Sequence, residues 1–256
     1  MLGHLFRRVA SDAVYVWGLL AGASALPGYT SLVYLVAFAF GYAFLSRWLT
    51  GLRQIRRIRR QAVPDTHGVQ ARTDRLAQLA GVPAPQVLCF SARRLQAATL
   101  GFLPGSGVIL VQKDLPTVLP DLELEAILGH ELGHIAHGDV FRRSVLQGLA
   151  NMAALSLGYG VFAQFQAQLG TQDALILGLA AATGVLLGMA AWVAPIYQHR
   201  QEFEADIFGA RLSSAPAMAS ALRRMTRPNA PRTPNSLHPC LEDRVNQLQS
   251  LGGYHA

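Results

Sequence analysis

Charge is what this sequence has little of. Only 14% of its 256 residues are Asp, Glu, Lys or Arg, while 51% are apolar. An ordinary soluble domain carries about 25% charged residues. Lysine is nearly missing: Lys113 stands alone, so the net charge of +7 rests on arginine. The deficit is also local. No Lys or Arg lies between Arg8 and Arg47 or between Arg143 and Arg200, and each gap holds one acid, Asp12 or Asp173. Such gaps exclude an evenly solvated surface and point to a lipid bilayer as partner. The arginines stand at the edges of the gaps, the positive-inside pattern of a multi-pass membrane protein. A nucleic-acid footprint explains the sum of charge but not its positions, so no nucleic-acid partner is expected. Cysteine is scarce too. Cys89 and Cys240 have no metal spacing between them and read as reduced thiols facing the cytoplasm.

What fills the gaps is apolar chain in four stretches: Val9 to Leu26, Ser31 to Leu49, Ser144 to Leu169 and Ala174 to Gln198. Each approaches or exceeds the ~20 residues that cross a bilayer as a helix. Pro27-Gly28-Tyr29-Thr30 and Gly170-Thr171-Gln172-Asp173 separate them in pairs, so four transmembrane helices are expected as two hairpins. Arg7 and Arg8, the run Arg53 to Arg60, Arg143 and Arg200 place both ends of both hairpins in the cytoplasm. A rival reading takes Arg7-Arg8, the first apolar stretch and Ala23-Ser24-Ala25 as a secretory signal with its cleavage site; the immediate second span favours the hairpin. Small residues recur in the second pair, from Gly148 to Gly160 and from Gly178 to Gly188, which suits close helix packing in lipid. Ile55 and Ile58 among the arginines suit a helix lying on the anionic leaflet, with a solvated helical extension as the equal alternative.

Between the hairpins lies ordinary domain sequence. Val69 to Ala80 has helical periodicity and stops at Gly81-Val82-Pro83. Gln86–Phe90, Leu95–Gly101 and Val108–Val111 read as short strands, the last two joined by a turn containing Pro104-Gly105-Ser106-Gly107. An exposed edge of such a sheet can pair with an extended peptide. Next comes His130-Glu131-Leu132-Gly133-His134, preceded by apolar residues at 122, 124, 127 and 128, a helical pattern. Asp121 is the expected N-cap and Gly138 the stop. On a helix, His130 and His134 share one face and can reach one metal ion; Glu131 can then take a proton from water at that ion. Chance produces this pattern in roughly one chain in 200 of such composition.

Two histidines leave a catalytic zinc site one protein ligand short. His199-Arg200-Gln201-Glu202-Phe203-Glu204-Ala205-Asp206 reads as a helix opening just after the fourth span. Glu202 and Asp206 share a face there, and Glu204 points roughly 200° away from Glu202. Spacing alone does not choose between the two glutamates. His137 falls near the His134 face but lacks the downstream Gly and His that a third histidine ligand accompanies. His67 and His199 read as surface or membrane-boundary residues.

HExxH followed by Glu202-Phe203-Glu204-Ala205-Asp206 resembles the HtpX-like membrane zinc metallopeptidases, the family shared with the CAAX prenyl protease. The likeness extends to His238-Pro239-Cys240-Leu241-Glu242-Asp243-Arg244 and covers nearly the whole chain. The CAAX prenyl protease has more spans than this chain can hold. The resemblance implies one zinc ion per chain on His130, His134 and Glu202, with Glu131 as general base. It implies that Asp206 orients a ligand histidine, that His238 stabilises the transition state and that Arg244 supports it. The implied fold is an α-helical integral membrane protein with an α+β zincin-like (gluzincin) catalytic domain. The segments are then an N-terminal transmembrane hairpin (1–52), a basic juxtamembrane segment (53–64), the first half of the catalytic domain (65–143), a second transmembrane hairpin (144–198) and the second half (199–256). The implied activity is zinc-dependent endoproteolysis at the cytoplasmic face of the inner membrane, on protein or peptide substrates and especially membrane proteins, in quality control or stress response. Two alternatives remain beside it. An intramembrane-type metalloprotease would bury its motif in a span, whereas Glu123, Glu125, Asp139 and Arg142 flank this one. A non-enzymatic scaffold with a structural zinc has no use for Glu131.

Overall fold

A computed structural model describes Val14, Trp17 and Gly18 and residues 29–92, 96–101, 107–226 and 238–252. Arg7 and Arg8, most of the first expected span, the signal-like Ala23-Ser24-Ala25, and the Pro27-Gly28 and Pro104-Gly105-Ser106 turns lie outside the described residues. The described chain is mostly helical with one small sheet. It divides into two compact units, Met1–Arg47 with Arg143–Ile196 and Trp48–Arg142 with Tyr197–Ala256.

The second unit holds the sheet. Its strands are β1 (Ala62–Val63), β2 (Gln86–Phe90), β3 (Ala97–Leu100) and β4 (Val108–Gln112), in the order β1-β2-β4-β3. β4 is central, parallel to β2 and antiparallel to β3, with Thr99 opposite Ile109. Every residue of β4 is buried, which is why Val108 to Val111 reads as an unbroken apolar run rather than an alternating one. Alternation decides which layer each side chain joins. Ile109 and Val111 enter the main core with Leu76, Leu128, Leu132, Met218 and Leu248. Val108 and Leu110 face the other way with Leu88, and there they meet Ile55 and Ile58. These isoleucines belong to α1 (Tyr29–Arg59), a single helix that carries the basic run at its end. The apolar pair, for which the sequence leaves the leaflet and a solvated helix as equal alternatives, therefore packs on the sheet, and the arginines face outward.

Around the core lie α2 (Val69–Ala80), the short α3 (Leu115–Val118) and α4 (Asp121–Ala136). α4 is buried along nearly its whole length, as expected of a helix packed on more than one side. Its N-cap is Pro120, not Asp121. Asp121 is instead the first helical residue, where its charge suits the helix dipole, and it pairs with Arg72 at 2.6 Å. The stop at Gly138 holds: φ is +63° there, a left-handed turn that glycine adopts at little cost.

The first unit contains most of α5 (Asp139–Leu169), then α6 (Thr171–Gly188) and a π-helical turn over Met189–Val193. Among the described residues, two helical runs are long and apolar enough to cross a membrane, Asp139–Leu169 and Thr171–Leu212. α5 and α6 approach closely, since a Cβ on Gly178 would lie 2.5 Å from the carbonyl oxygen of Gly158. Only 22% of the most apolar window in the second run is buried, and Trp192 and Ile196 are 74% and 72% exposed. A soluble core helix buries such side chains, whereas lipid accepts them. The second run also corrects an expectation. The helix bearing Glu202, α7 (Ala194–Leu212), does not open anew after the span but continues it through the π turn. Two smaller helices, α8 (Ala215–Met225) and α9 (Leu241–Gly252), complete the described fold.

Candidate metal centre

α4 and α7 cross in backbone contact. A Cβ on Gly209 would lie 2.5 Å from the Ala126 carbonyl oxygen and 2.8 Å from the His130 nitrogen; one on Gly133 would sit 3.0 Å from Phe208 Cβ. Glycine at these positions lets a side chain as short as Glu202 reach the histidines of the facing helix. His130, His134 and Glu202 then converge, each offering a ligand atom within 4.8 Å of the others. His130 Nε2 lies 3.8 Å from Glu202 Oε2, and His134 Nε2 lies 3.6 Å from Glu202 Oε1. These atoms are too far apart for good hydrogen bonds, and an ion with bonds of about 2.0–2.1 Å fits between them.

The other side of each imidazole is occupied. His130 Nδ1 is 2.9 Å from Asp206 Oδ1, and His134 Nδ1 is 2.7 Å from Asp139 Oδ2. An N–H donated from Nδ1 to a carboxylate leaves Nε2 with a free lone pair, the tautomer that metal ligation requires. Asp206 is itself gripped by Arg244, whose Nε and Nη2 donate to its two oxygens at 2.6 Å each. Arg244 Nη1 also stands 3.6 Å from Glu202 Oε2. His238 Nδ1 lies 2.9 Å from the same oxygen.

Electrostatics follow from this crowding. Burial pushes the Glu202 pKa up, but the His238 hydrogen bond and the nearby histidine charges hold it well below the ordinary carboxylate range. Burial likewise favours a neutral Asp206, yet its bonds to Arg244 and His130 lower its pKa. His130 is pushed down by burial and pulled up further by Asp206 and Glu202. The centre thus keeps Glu202 and Asp206 ionised beside the two histidines, and His130, His134 and Glu202 are residue types that zinc takes as ligands.

The two candidate glutamates part company in space. Glu204 turns away to Arg200, at 2.8 Å, and Arg142, at 3.5 Å. His137 packs edge-on against Phe208, with ring centroids 5.7 Å apart, and lies outside the ligand cluster. Cys89 and Cys240 are both free and buried.

Two polar partners went unforeseen. Asp139, completely buried, is by its sequence position only a flanking charge; the signal for it is a carboxylate placed just after the left-handed Gly138, where the chain folds back toward His134. Thr99, on the edge strand β3, lies with its Oγ1 2.7 Å from Glu131 Oε2 and 3.0 Å from the Glu131 carbonyl oxygen. It shares a sheet face with Ala97, two residues before it, which packs on the main core with α4, but only the strand register reveals that.

A buried His–His–Glu cluster on crossing helices, with a glutamate beside the first histidine, belongs to the metalloprotease class. The family model described as Peptidase family M48 matches residues 65–251, and the chain belongs to that family. It is similar to the protease HtpX of Ectopseudomonas mendocina, 28% identical over 255 residues that cover 86% of this chain and 87% of that protein. It is also similar to protease HtpX homolog 1 of Streptomyces coelicolor, 31% identical over 221 residues covering 83% and 71%. The fold is similar to the crystal structure of S. mikatae Ste24p, with a TM-score of 0.68 at 17% identity over 93% of this chain; the chain spans 62% of that protein's length.

Proposed function

We propose that this protein is a multi-pass zinc endopeptidase of the inner membrane that cleaves peptide bonds at the cytoplasmic face. The observation that carries the reading is the convergence of His130, His134 and Glu202, with each histidine locked by a buried carboxylate. These three residues would hold one zinc ion, which supplies a Lewis acid for the peptide carbonyl and lowers the pKa of its water. Asp206 and Asp139 orient His130 and His134, and Arg244 fixes Asp206. Glu131 takes the proton from the attacking water and delivers it to the leaving amine nitrogen. Thr99 holds the Glu131 carboxylate toward the sheet edge, where an extended substrate can pair with β3. His238, held by Glu202 through Nδ1, would stabilise the developing oxyanion.

The two apolar runs of the described structure, together with the two expected before residue 50, make four spans in two hairpins. The transmembrane parts are then 1–52 and 144–198, and a gluzincin-type catalytic domain is assembled from 65–143 and 199–256. The third and fourth spans end near Arg143 and Gln198, so Glu202 and Asp206 stand beyond the bilayer. Substrates are protein or peptide segments, membrane proteins in particular, in a quality-control or stress role.

Zinc content of purified variants after dialysis tests the ligand set. Glu202→Ala removes a ligand and should lose more than the roughly 10–100-fold in affinity that an orienting partner costs. Glu204→Ala should keep its zinc. A zinc-free Glu204 variant beside a zinc-replete Glu202 variant would transfer the ligand role and end this reading.

A further inference from the structure

The arginines after the second apolar stretch are arranged as well as numerous. Arg53, Arg56, Arg57 and Arg60 stand at i, i+3, i+4 and i+7, a spacing that puts all four on one helical face. All are exposed, and with Gln61 they line an open groove of about 390 Å³. The opposite face is fixed. Ile55 and Ile58 pack on Leu88, Val108 and Leu110, and Arg59 donates to Gln86 Oε1 at 2.7 Å. Immediately beyond, the Gln61 amide donates to the Ile58 carbonyl at 2.9 Å, and β1 joins the sheet beside β2. The helix end cannot roll, so the backbone presents all four arginine side chains on the same outward face before any ligand arrives.

They are also uncompensated. Arg72, Arg75, Arg142, Arg200, Arg224 and Arg244 each have a carboxylate partner. Among the described residues, none of the four groove arginines has one. The dipole of α1 attracts cations within its last turn, which leaves Arg53 unexplained. Four like charges on a rigid face repel one another until an anion sits among them. A guanidinium offers two parallel N–H donors that match the oxygens of a phosphate.

We propose that this face binds the headgroups of anionic phospholipids. The placement selects lipid over a nucleic acid: the stripe begins four residues after Leu49 on the same helix, and it runs only about 10 Å along the axis, room for a few headgroups rather than a strand of phosphates. The proposal rests on reading residues 31–49 as a span but is independent of the peptidase activity.

The test titrates purified, delipidated full-length protein in detergent with fluorescently labelled phosphatidylglycerol and follows anisotropy. Unlabelled phosphatidylcholine, inorganic phosphate and a single-stranded oligonucleotide serve as competitors. Each arginine facing an anionic headgroup contributes roughly fivefold in affinity, so Arg53→Gln with Arg57→Gln should weaken binding at least tenfold. Lysine at the same two positions should retain most of it, and added salt should weaken the wild type. Unchanged zinc content and melting temperature would show that the Gln variant is folded. Equal affinity of the wild type and a variant with all four arginines changed to Gln would overturn the proposal. So would equal competition by phosphatidylcholine. Displacement by the oligonucleotide or by inorganic phosphate at concentrations below that of phosphatidylglycerol would reassign the groove to those ligands. A failure of the span reading shows separately, in the labelling of turn cysteines described below.

Discussion

Asp139 offers the sharpest check on how the histidines are held, because its counterpart Asp206 lies in a different electrostatic setting. Each carboxylate fixes one imidazole, at 2.7 Å for Asp139 and 2.9 Å for Asp206. Loss of a partner of this kind lowers metal affinity by roughly 10–100-fold, equal to about 1.4–2.7 kcal/mol. Asp139→Ala and Asp206→Ala should both show that loss in a competition titration against a chromophoric zinc chelator. Stability without metal should separate them. Arg142, which stands 3.5 Å from Asp139, reaches solvent and already contacts Glu204, so it is not stranded when Asp139 is removed. Arg244 has its side chain only 11% exposed and spends two donors on Asp206. Removing Asp206 takes both hydrogen-bonded acceptors from a buried cation and leaves it only the longer 3.6 Å approach to Glu202, a loss that approaches the roughly 3–5 kcal/mol of a broken buried pair. Urea unfolding of the metal-free proteins should therefore show a small loss for Asp139→Ala and a large one for Asp206→Ala. Asp139→Asn, which keeps an acceptor oxygen, should recover part of the zinc affinity. Wild-type affinity in Asp139→Ala would refute the assignment, and so would equal destabilisation of the two apo variants.

Two further expectations concern topology and the start of α2. In a background lacking Cys89 and Cys240, Gly28→Cys and Thr171→Cys should react with a membrane-impermeant thiol reagent in intact cells; labelling of His67→Cys in the same cells would reverse the orientation. Asp65 accepts backbone N–H groups from His67, Val69 and Gln70. Burial acts to raise its pKa, but these bonds together lower it. A depressed folded-state pKa means the stabilisation is present above the unfolded value and vanishes as pH falls through the folded one. Asp65→Ala should thus cost about 1 kcal/mol at neutral pH, and its melting temperature should converge on the wild type's as pH drops well below ~3.9; a gap that persists in acid would count against these hydrogen bonds as its source.

How much of this was readable beforehand depends on whether an interaction is local. α4 announces itself because HExxH and the apolar positions before it share one helical period, and β4 because a strand buried on both faces is a run of apolar residues. The pairing of α4 with α7 needed the family resemblance, since Glu202 and Glu204 look alike in sequence and only the crossing at Gly209 shows which one faces the histidines. Asp139 escaped notice because its hydrogen bond crosses a helix break, and Thr99 because its partner lies 32 residues away across a strand register that no periodicity encodes. The sequence leaves Ile55 and Ile58 open between the leaflet and a solvated helix for the same reason: their partners are on the far face of the sheet. β1, with two residues, is too short to carry a pattern.

The central claim is that Glu131 moves the proton while His130, His134 and Glu202 hold the metal. Casein cleavage and zinc content measured together on the wild type and Glu131→Gln test it most directly. The account predicts a variant that keeps its zinc and its fold and loses about 10²–10⁴-fold in cleavage rate. A zinc-replete Glu131→Gln protein that still cuts within roughly tenfold of the wild type would contradict it.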